Sequence, residues 1–250
     1  MTYTLAFPRE NARVTQNTMT DGIRIGRVLL HASAISIFSS AFYTLFASPS
    51  PFHASFGSFF QFLTIWGLAI SLITSIVAFV DEIRHSQHKE NNSESLNIVH
   101  DLLAVAVPME FFVTFSYWSM ISYDPKLLAP PGVKPIPLLL DLSIHFFPFL
   151  LLFTEFLCYA HYFTRSTRHQ VVVVGFSLSY AVWMHICYEM NGYWAYPMLG
   201  WMTEWQRIGF IVASAGLALG MYEMVVSMHH AWTCRIPVMK TERNSGKKEE

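Results

Sequence analysis

Six long apolar segments divide this chain and limit its fold more than any other feature. A helix that crosses about 30 Å of hydrocarbon needs roughly 20 apolar residues, and each segment is long enough. The segments cover residues 26–47, 58–80, 98–122, 137–161, 170–190 and 207–230. The sequence therefore predicts an all-α polytopic membrane protein, with six transmembrane helices in one domain over residues 26–231. Residues 1–25 form an N-terminal segment and residues 232–250 form a tail.

The composition argues against several other classes of protein. Hydrophobic residues make up 53% of the chain and charged residues 13%, whereas soluble domains are about 25% charged. A net charge of −1 argues against nucleic acid as a partner, because phosphate binding needs a basic face. The three cysteines fit neither a disulfide framework nor a zinc site. We expect no metal or organic cofactor.

Lysine and arginine are distributed unequally between the two sides of the predicted bundle. Thirteen of the 16 lie in the N-terminal segment, the second and fourth connections and the tail. The opposite side carries the other three. Because Lys and Arg are enriched in cytosolic loops, we predict that both termini are cytosolic.

The last four residues are Lys247-Lys248-Glu249-Glu250. Lysines at these positions of a cytosolic tail are similar to the dilysine signal, which coat proteins recognise when they return membrane proteins to the endoplasmic reticulum. A solvated charged tail is the plainer interpretation. Since the tail is predicted to be cytosolic, Lys247 and Lys248 predict coat-protein recognition and a location in the endoplasmic reticulum.

Polar side chains within the apolar segments mark the candidate site. Ionisable groups are costly there and usually face the bundle interior or a water-filled cavity. At ~1.5 Å per residue, Thr64 is expected about 9 Å and His145 about 12 Å from the lumenal face. Asp141 precedes His145 by one helical turn and can orient the imidazole, and His185 and Glu189 have the same spacing. The lumenal half of the bundle is therefore predicted to contain a polar pocket.

The fourth segment also contains a proline close to this histidine. Pro148 follows His145 by three residues and is expected to bend the helix. Such a bend would open room beside the imidazole.

The polar residues also have structural interpretations. A threonine in a membrane helix most often bonds its own preceding carbonyl, and a histidine often bonds a neighbouring helix. His185 and Glu189 fit a structural or a pocket-lining pair, and Glu110 lies near mid-bilayer with no partner identified by spacing. Glu155 and Glu223 fall toward the cytosolic side. The histidines there are expected to be their partners, namely His161, His229 and His230.

Four stretches of the chain are similar to the motifs of one known family. They are FGSFFQFLTIW at 56–66, LLAVAVP to YWSMISYD at 102–124, DLSIH at 141–145 and NGYWAYP at 191–197. In this order and spacing, the chain resembles the androgen-induced family of six-span membrane proteins, which hydrolyse fatty acid esters of hydroxy fatty acids. That family uses an intramembrane threonine and histidine. The resemblance assigns these roles to Thr64 as nucleophile and His145 as base.

The resemblance implies an intramembrane lipid esterase that takes its substrate from the membrane. Asp141 would orient His145, although asparagine is usual at this position. The chain also departs from the family at Leu142 and Glu189, where histidine is expected, and these changes affect substrate preference more than reaction type. Three aromatic side chains are expected to line the lipid pocket with His185 and Glu189, namely Phe146, Phe149 and Trp183. The competing interpretation is a non-enzymatic lipid-binding, transport or regulatory membrane protein.

Overall fold

The computed structural model describes residues 9–87, 93–129, 135–159, 163 and 165–234, and it contains helices and no strands over these residues. Its α-helices are α1 (Arg9–Ala47), α2 (Leu63–Gln87), α3 (Ser93–Tyr123), α4 (Leu138–His145), α5 (Phe147–Cys158), α6 (Thr167–Asn191) and α7 (Glu204–Thr233). Short 3₁₀ helices lie in the connections at Pro51–Ala54, Ser58–Gln61, Pro125–Leu127 and Pro197–Trp201. The predicted dilysine signal of Lys247 and Lys248 lies outside the described residues.

Five of the helices are long and apolar enough to cross a membrane. These stretches are Gly22–Ala47, Leu63–Arg84, Ile98–Tyr123, Thr167–Asn191 and Glu204–Thr233. Helices α4 and α5, taken together as one bent pair, are also long and apolar enough to cross. Helices α6 and α7 expose many large apolar side chains, including Val171, Val182 and Val212. A soluble monomer rarely exposes so much apolar surface, whereas lipid covers it readily. The prediction of an all-α, multi-pass membrane protein is confirmed.

Helix α3 stands at the centre of the bundle. It packs against α2 and α5 on one side and against α6 and α7 on the other. The largest apolar cluster joins these helices around Leu103 and Val107 of α3, Leu152 and Phe156 of α5 and Val225 of α7. All five side chains are almost fully buried, so the apolar core is centred on α3, and α5 also contacts α7 directly within it.

The fourth predicted segment is broken where the proline led us to expect a bend. Helices α4 and α5 meet at Phe146 with an angle of 41° between them. Pro148 lies in the first turn of α5 and has no N–H with which to bond the carbonyl of Ile144, which interrupts a continuous helix. The bend follows His145 directly.

The second predicted segment begins later than its apolar character suggested. Gly57 has a left-handed φ of 79° and Ser58 has a φ of 45°, so the chain turns before the 3₁₀ helix Ser58–Gln61. A Cβ at Gly57 would lie 2.9 Å from Cys187 Sγ, so this turn also needs glycine for space. Helix α2 starts only at Leu63. The predicted start of this helix at residue 58 is therefore corrected to Leu63, which places Thr64 in the first turn of the helix.

Ion pairs join α1, α2 and α5 at the opposite end of the bundle from Thr64. Arg27 Nη1 lies 2.8 Å from Glu82 Oε2, and Arg27 Nε lies 2.7 Å from Glu155 Oε1. His31 Nε2 is 3.2 Å from Glu155 Oε2, and Arg24 adds a second contact to Glu82 at 3.1 Å. We call this the Arg27 end of the bundle and the other the Thr64 end.

Glu155 and Glu223 each have partners that the sequence did not suggest. Glu155 is paired with α1, and its expected partner His161 lies outside the described residues. Glu223 accepts a hydrogen bond from Gln170 at 2.6 Å and pairs with Arg165. Its expected pairing with His229 or His230 stays a prediction. Spacing along the chain did not identify which helices meet at the Arg27 end.

Candidate functional site

A cavity of about 130 Å³ lies between α3, α6 and α7 and reaches the first turn of α2. Its walls are mainly apolar, and the connection that contains Tyr196, Met198 and Leu199 lines one end of it. Thr64 is part of the wall. A mainly apolar pocket with a few polar groups is typical of a small-molecule or lipid site.

The Thr64 hydroxyl and the buried Thr114 hydroxyl lack the backbone hydrogen bond that other intramembrane threonines make. Three of them donate to the carbonyl four residues earlier, at 2.7 to 2.8 Å, namely Thr44, Thr74 and Thr154. For Thr64 that carbonyl belongs to Phe60, which precedes the helix and accepts from the indole N–H groups of Trp66 and Trp183, both at 2.8 Å. Within the described part of the chain the Thr64 hydroxyl has no hydrogen bond. It is therefore free to interact with a molecule in the cavity.

Asp141 and His145 form a close pair on α4. Asp141 Oδ1 lies 2.7 Å from His145 Nδ1, across one helical turn. The imidazole is 5% exposed, and its Nε2 makes no hydrogen bond to any residue that the structure describes. The contact fixes the ring and directs Nδ1 toward the carboxylate, so Nε2 remains available as a base.

Tyr117 of α3 connects this pair to the cavity. Its ring stacks on the imidazole of His145, with centroids 3.4 Å apart and planes inclined by 6°. Tyr117 and Thr64 both line the cavity, whereas His145 does not. The structure thus places the threonine in the wall and the histidine behind the tyrosine ring, and no hydrogen bond joins Thr64 to His145 among the described residues.

Two further tyrosines hold the start of α2 beside Thr64. Tyr196 Oη accepts the N–H of Leu63 at 3.0 Å. Tyr180 Oη lies 2.9 Å from the Gln61 carbonyl, to which it donates, and 3.3 Å from Tyr196 Oη. Both tyrosines line the cavity. The proton of Tyr196 therefore has no acceptor in the described ranges except the Tyr180 oxygen, and it can turn toward the cavity.

The sequence did not suggest a role for these three tyrosines, although two of them lie in the family-like motifs. Tyr117 begins YWSMISYD, and Tyr196 stands before the proline of NGYWAYP. Their membership of these motifs was the available signal. In the structure, the hydrogen bond from the Leu63 N–H to Tyr196 joins the first motif to the fourth. Spacing along one chain does not show that two distant motifs meet.

The five residues predicted to line the pocket do not line this cavity, and that prediction is corrected. Phe146 and Phe149 belong to the α4–α5 unit on the other side of α3, where Phe149 stacks on Phe111 at 4.8 Å. Trp183 is on α6 but turns toward the start of α2 and bonds the Phe60 carbonyl. His185 and Glu189 lie on the outer surface of α6, where both side chains are mostly exposed. His185 Nε2 is 3.7 Å from Glu189 Oε1.

The polar partner of Glu110 is Ser71. Ser71 Oγ donates to Glu110 Oε1 at 2.7 Å, across the interface between α2 and α3. A Cβ at Gly67 would lie 2.8 Å from the same carboxylate oxygen, so glycine is needed for the close approach. Glu110 faces α2 and does not line the cavity.

Comparison with known proteins identifies relatives over most of the chain. Residues 26–230 match the model of the FAR-17a/AIG1-like protein family. A UPF0641 membrane protein of Schizosaccharomyces pombe is 31% identical over 70% of this chain and 77% of that protein. The human androgen-induced gene 1 protein is 24% identical over 69% of this chain and 76% of its own length. The mouse androgen-dependent TFPI-regulating protein is 24% identical over 68% of this chain and 75% of its own length. No solved structure matches the chain.

Proposed function

The chain belongs to the FAR-17a/AIG1-like family of membrane proteins, and we propose that it is an intramembrane lipid esterase. Its substrates are fatty acid esters of hydroxy fatty acids or similar bioactive lipid esters, which enter from the bilayer. The observation that carries the proposal is the Thr64 hydroxyl. It lacks the usual carbonyl acceptor, lines an apolar cavity and shares the wall with Tyr117, behind which Asp141 and His145 are paired.

The reaction proceeds in two acyl-transfer steps. Thr64 Oγ1 attacks the ester carbonyl carbon while its proton passes to Nε2 of His145. The C–O bond to the alcohol then breaks, and the alcohol leaves with the proton held by His145. Water, activated by the same nitrogen, attacks the acyl-threonine, releases the fatty acid and restores both groups. Asp141 holds Nδ1 throughout and stabilises the imidazolium, as the acid does in a catalytic triad.

Thr64 and His145 must come closer than they are in the free protein. Catalytic hydrogen bonds are often long without substrate and tighten in the complex. The Tyr117 ring lies between the cavity and the imidazole, so the mechanism requires this ring to move aside. An ester carbonyl against Thr64 would occupy the space into which Tyr117 now faces.

Two donors beside Thr64 are suited to stabilise the developing oxyanion. First-turn N–H groups of a helix have no intrahelical acceptor. The Leu63 N–H donates to Tyr196 and the Ile65 N–H donates to the Phe62 carbonyl. Among the described residues the N–H of Thr64 itself has no acceptor, so it is the first donor. The Tyr196 hydroxyl proton is the second donor. Such donors contribute about 10²–10³-fold each to kcat in acyl transfer.

A lipid-binding or transport protein without turnover is the second candidate. It is favoured by the absence of a direct hydrogen bond between Thr64 and His145 in the described structure, and by the apolar walls of the cavity. Such a protein would retain lipid esters intact. Turnover therefore separates the two functions.

The test of the esterase uses purified protein in detergent micelles or vesicles. Wild type should hydrolyse a branched lipid ester, and Thr64→Ala and His145→Ala should fold normally without hydrolysing it. Thr74→Ala is the matched control, because Thr74 lies on the same helix and bonds its own Ile70 carbonyl. Full activity of Thr64→Ala would remove the nucleophile from the mechanism. Binding of the ester without turnover by wild type would establish the second candidate.

We also propose an endoplasmic reticulum location with both termini in the cytosol. The proposal rests on the Lys and Arg distribution and on Lys247 and Lys248 as a signal for coat proteins. Replacement of Lys247 and Lys248 by serine should release the protein to later compartments. A glycan accepted by a site engineered into the tail would contradict this topology.

A further inference from the structure

The level of Thr64 within the bundle follows from its neighbours on α2. Ser71 bonds Glu110, and a Cβ at Gly67 would contact the same carboxylate, so the turn between them is level with Glu110. Thr64 precedes the middle of that turn by about 8 Å at ~1.5 Å per residue. Because α2 and α3 run in opposite directions, Thr64 is level with Phe115 of α3.

The cavity extends from this level in both directions and by unequal amounts. On α3 its lining runs from Val105 to Met120. From Phe115 to Val105 is about 15 Å, and from Phe115 to Met120 is about 8 Å, at ~1.5 Å per residue. We call the long part, toward the Arg27 end, the deep lobe, and the short part, toward the Thr64 end, the shallow lobe. Thr64 lies where they join.

The deep lobe is closed at its far end by small and branched side chains. Val105 of α3, Val173 of α6 and Ala218 of α7 form this floor, and Val173 and Ala218 are 5% and 7% exposed. Tyr222, one turn beyond Ala218, is fully buried and packs in the same cluster. Its hydroxyl accepts the N–H of Ser166 at 3.1 Å, which holds the floor in place.

The shallow lobe has a different character. It is lined by three methionines from three elements, namely Met120, Met184 and Met198. Methionine side chains are flexible and adapt to irregular ligands. The lining also includes Leu128 and Leu199 from connections at the Thr64 end, so this lobe reaches the surface region of the bundle.

We propose that the deep lobe holds the unbranched acyl chain of the ester and that Ala218 limits the length of that chain. This inference rests on the proposed esterase function. The acyl part of a hydroxy fatty acid ester ends in a methyl group, which a closed apolar lobe can bury. The hydroxy acid part ends in a carboxylate, whose burial there without a partner would be very costly. The carboxylate must therefore leave through the shallow lobe, which directs the acyl chain into the deep one.

The experiment varies the acyl chain while the hydroxy acid part is constant, from octanoyl to stearoyl. Ala218→Phe should lower kcat/KM for the stearoyl ester by about tenfold or more relative to that for the octanoyl ester, since expelling two methylenes from apolar contact has this effect. Leu217→Phe is the matched control, because Leu217 is the neighbouring residue and is exposed on the outer surface. Val173→Ala should shift the preference toward longer chains, which gives a second test if Ala218→Phe does not fold.

Binding provides a readout that does not depend on hydrolysis. Each substitution is repeated in the Thr64→Ala background, and retention of the same esters is measured by native mass spectrometry. A length-dependent loss of binding with Ala218→Phe supports the inference even if wild type hydrolyses nothing, in which case the proposed function alone fails. Equal effects of Ala218→Phe on octanoyl and stearoyl esters, or no effect of either floor substitution on chain length, would overturn it.

Discussion

Replacement of Tyr196 by phenylalanine separates the chemical role of one hydroxyl from its structural role. Tyr196 Oη accepts the N–H of Leu63 at 3.0 Å, immediately before Thr64, and Tyr180 Oη lies 3.3 Å away. The substitution removes one oxygen and one proton and keeps the ring in the cavity wall. It therefore deletes the proposed oxyanion donor and leaves the volume of the site almost unchanged.

The two effects have different sizes. Loss of the acceptor leaves the Leu63 N–H without a partner at a half-buried position, which lowers the free energy of unfolding by about 1–2 kcal/mol. Loss of an oxyanion donor lowers kcat by about 10²–10³-fold. Because the donor acts mainly on the transition state, KM should change little, and kcat and kcat/KM should fall together.

The assay is steady-state hydrolysis of a branched lipid ester, with a thermal unfolding curve for each protein. Tyr180→Phe is the matched control. It removes the 2.9 Å hydrogen bond to the Gln61 carbonyl, costs a similar free energy of unfolding, and leaves the Tyr196 proton free to point into the cavity. Tyr180→Phe should therefore retain most of its kcat. A wild-type kcat for Tyr196→Phe, or equal losses in both variants, would refute the assignment of Tyr196 as a donor.

Three other substitutions test separate parts of the structure. Asp141→Ala should lower kcat by about 10²–10⁴-fold because the imidazole loses the partner that orients it, and a wild-type kcat would exclude that role. Gly67→Ala should destabilise the fold by about 1–3 kcal/mol through overpacking, since its Cβ would meet a carboxylate oxygen at 2.8 Å. Gly216→Ala should leave the stability unchanged, because a Cβ there would meet nothing within 4 Å. Equal melting temperatures of the two variants would contradict the close packing at Gly67. Glu155→Ala should cost about 3 kcal/mol by leaving Arg27 partly unpaired in the protein interior, which a chemical unfolding curve would detect.

Local patterns predicted the parts of the site that lie on one helix. The apolar segments predicted the spans because a fixed hydrocarbon thickness sets their length. The spacing of Asp141 and His145 predicted their contact because residues four apart share a helical face. The turn at Gly57 and Ser58 was missed, because the aromatic residues of the 3₁₀ helix that follows are as apolar as those of a span.

Contacts between helices were not accessible in the same way. Apolar periodicity is weak in a helix surrounded by lipid and other helices, so it does not indicate which neighbour a face meets. Phe146 and Phe149 were expected in the pocket because they follow His145, but α3 lies between them and the cavity. Tyr117 and Tyr196 were missed because their importance depends on two motifs, distant in sequence, that the fold brings to Thr64.

The central claim is that Thr64 is the nucleophile of a lipid esterase, and covalent labelling tests it most directly. The purified protein is treated with a fluorophosphonate probe, digested, and analysed by mass spectrometry. We expect the adduct on Thr64 alone, with labelling reduced by a branched lipid ester and absent from His145→Ala. Ester hydrolysis by a protein labelled at another residue, or undiminished hydrolysis by Thr64→Ala, would contradict the claim.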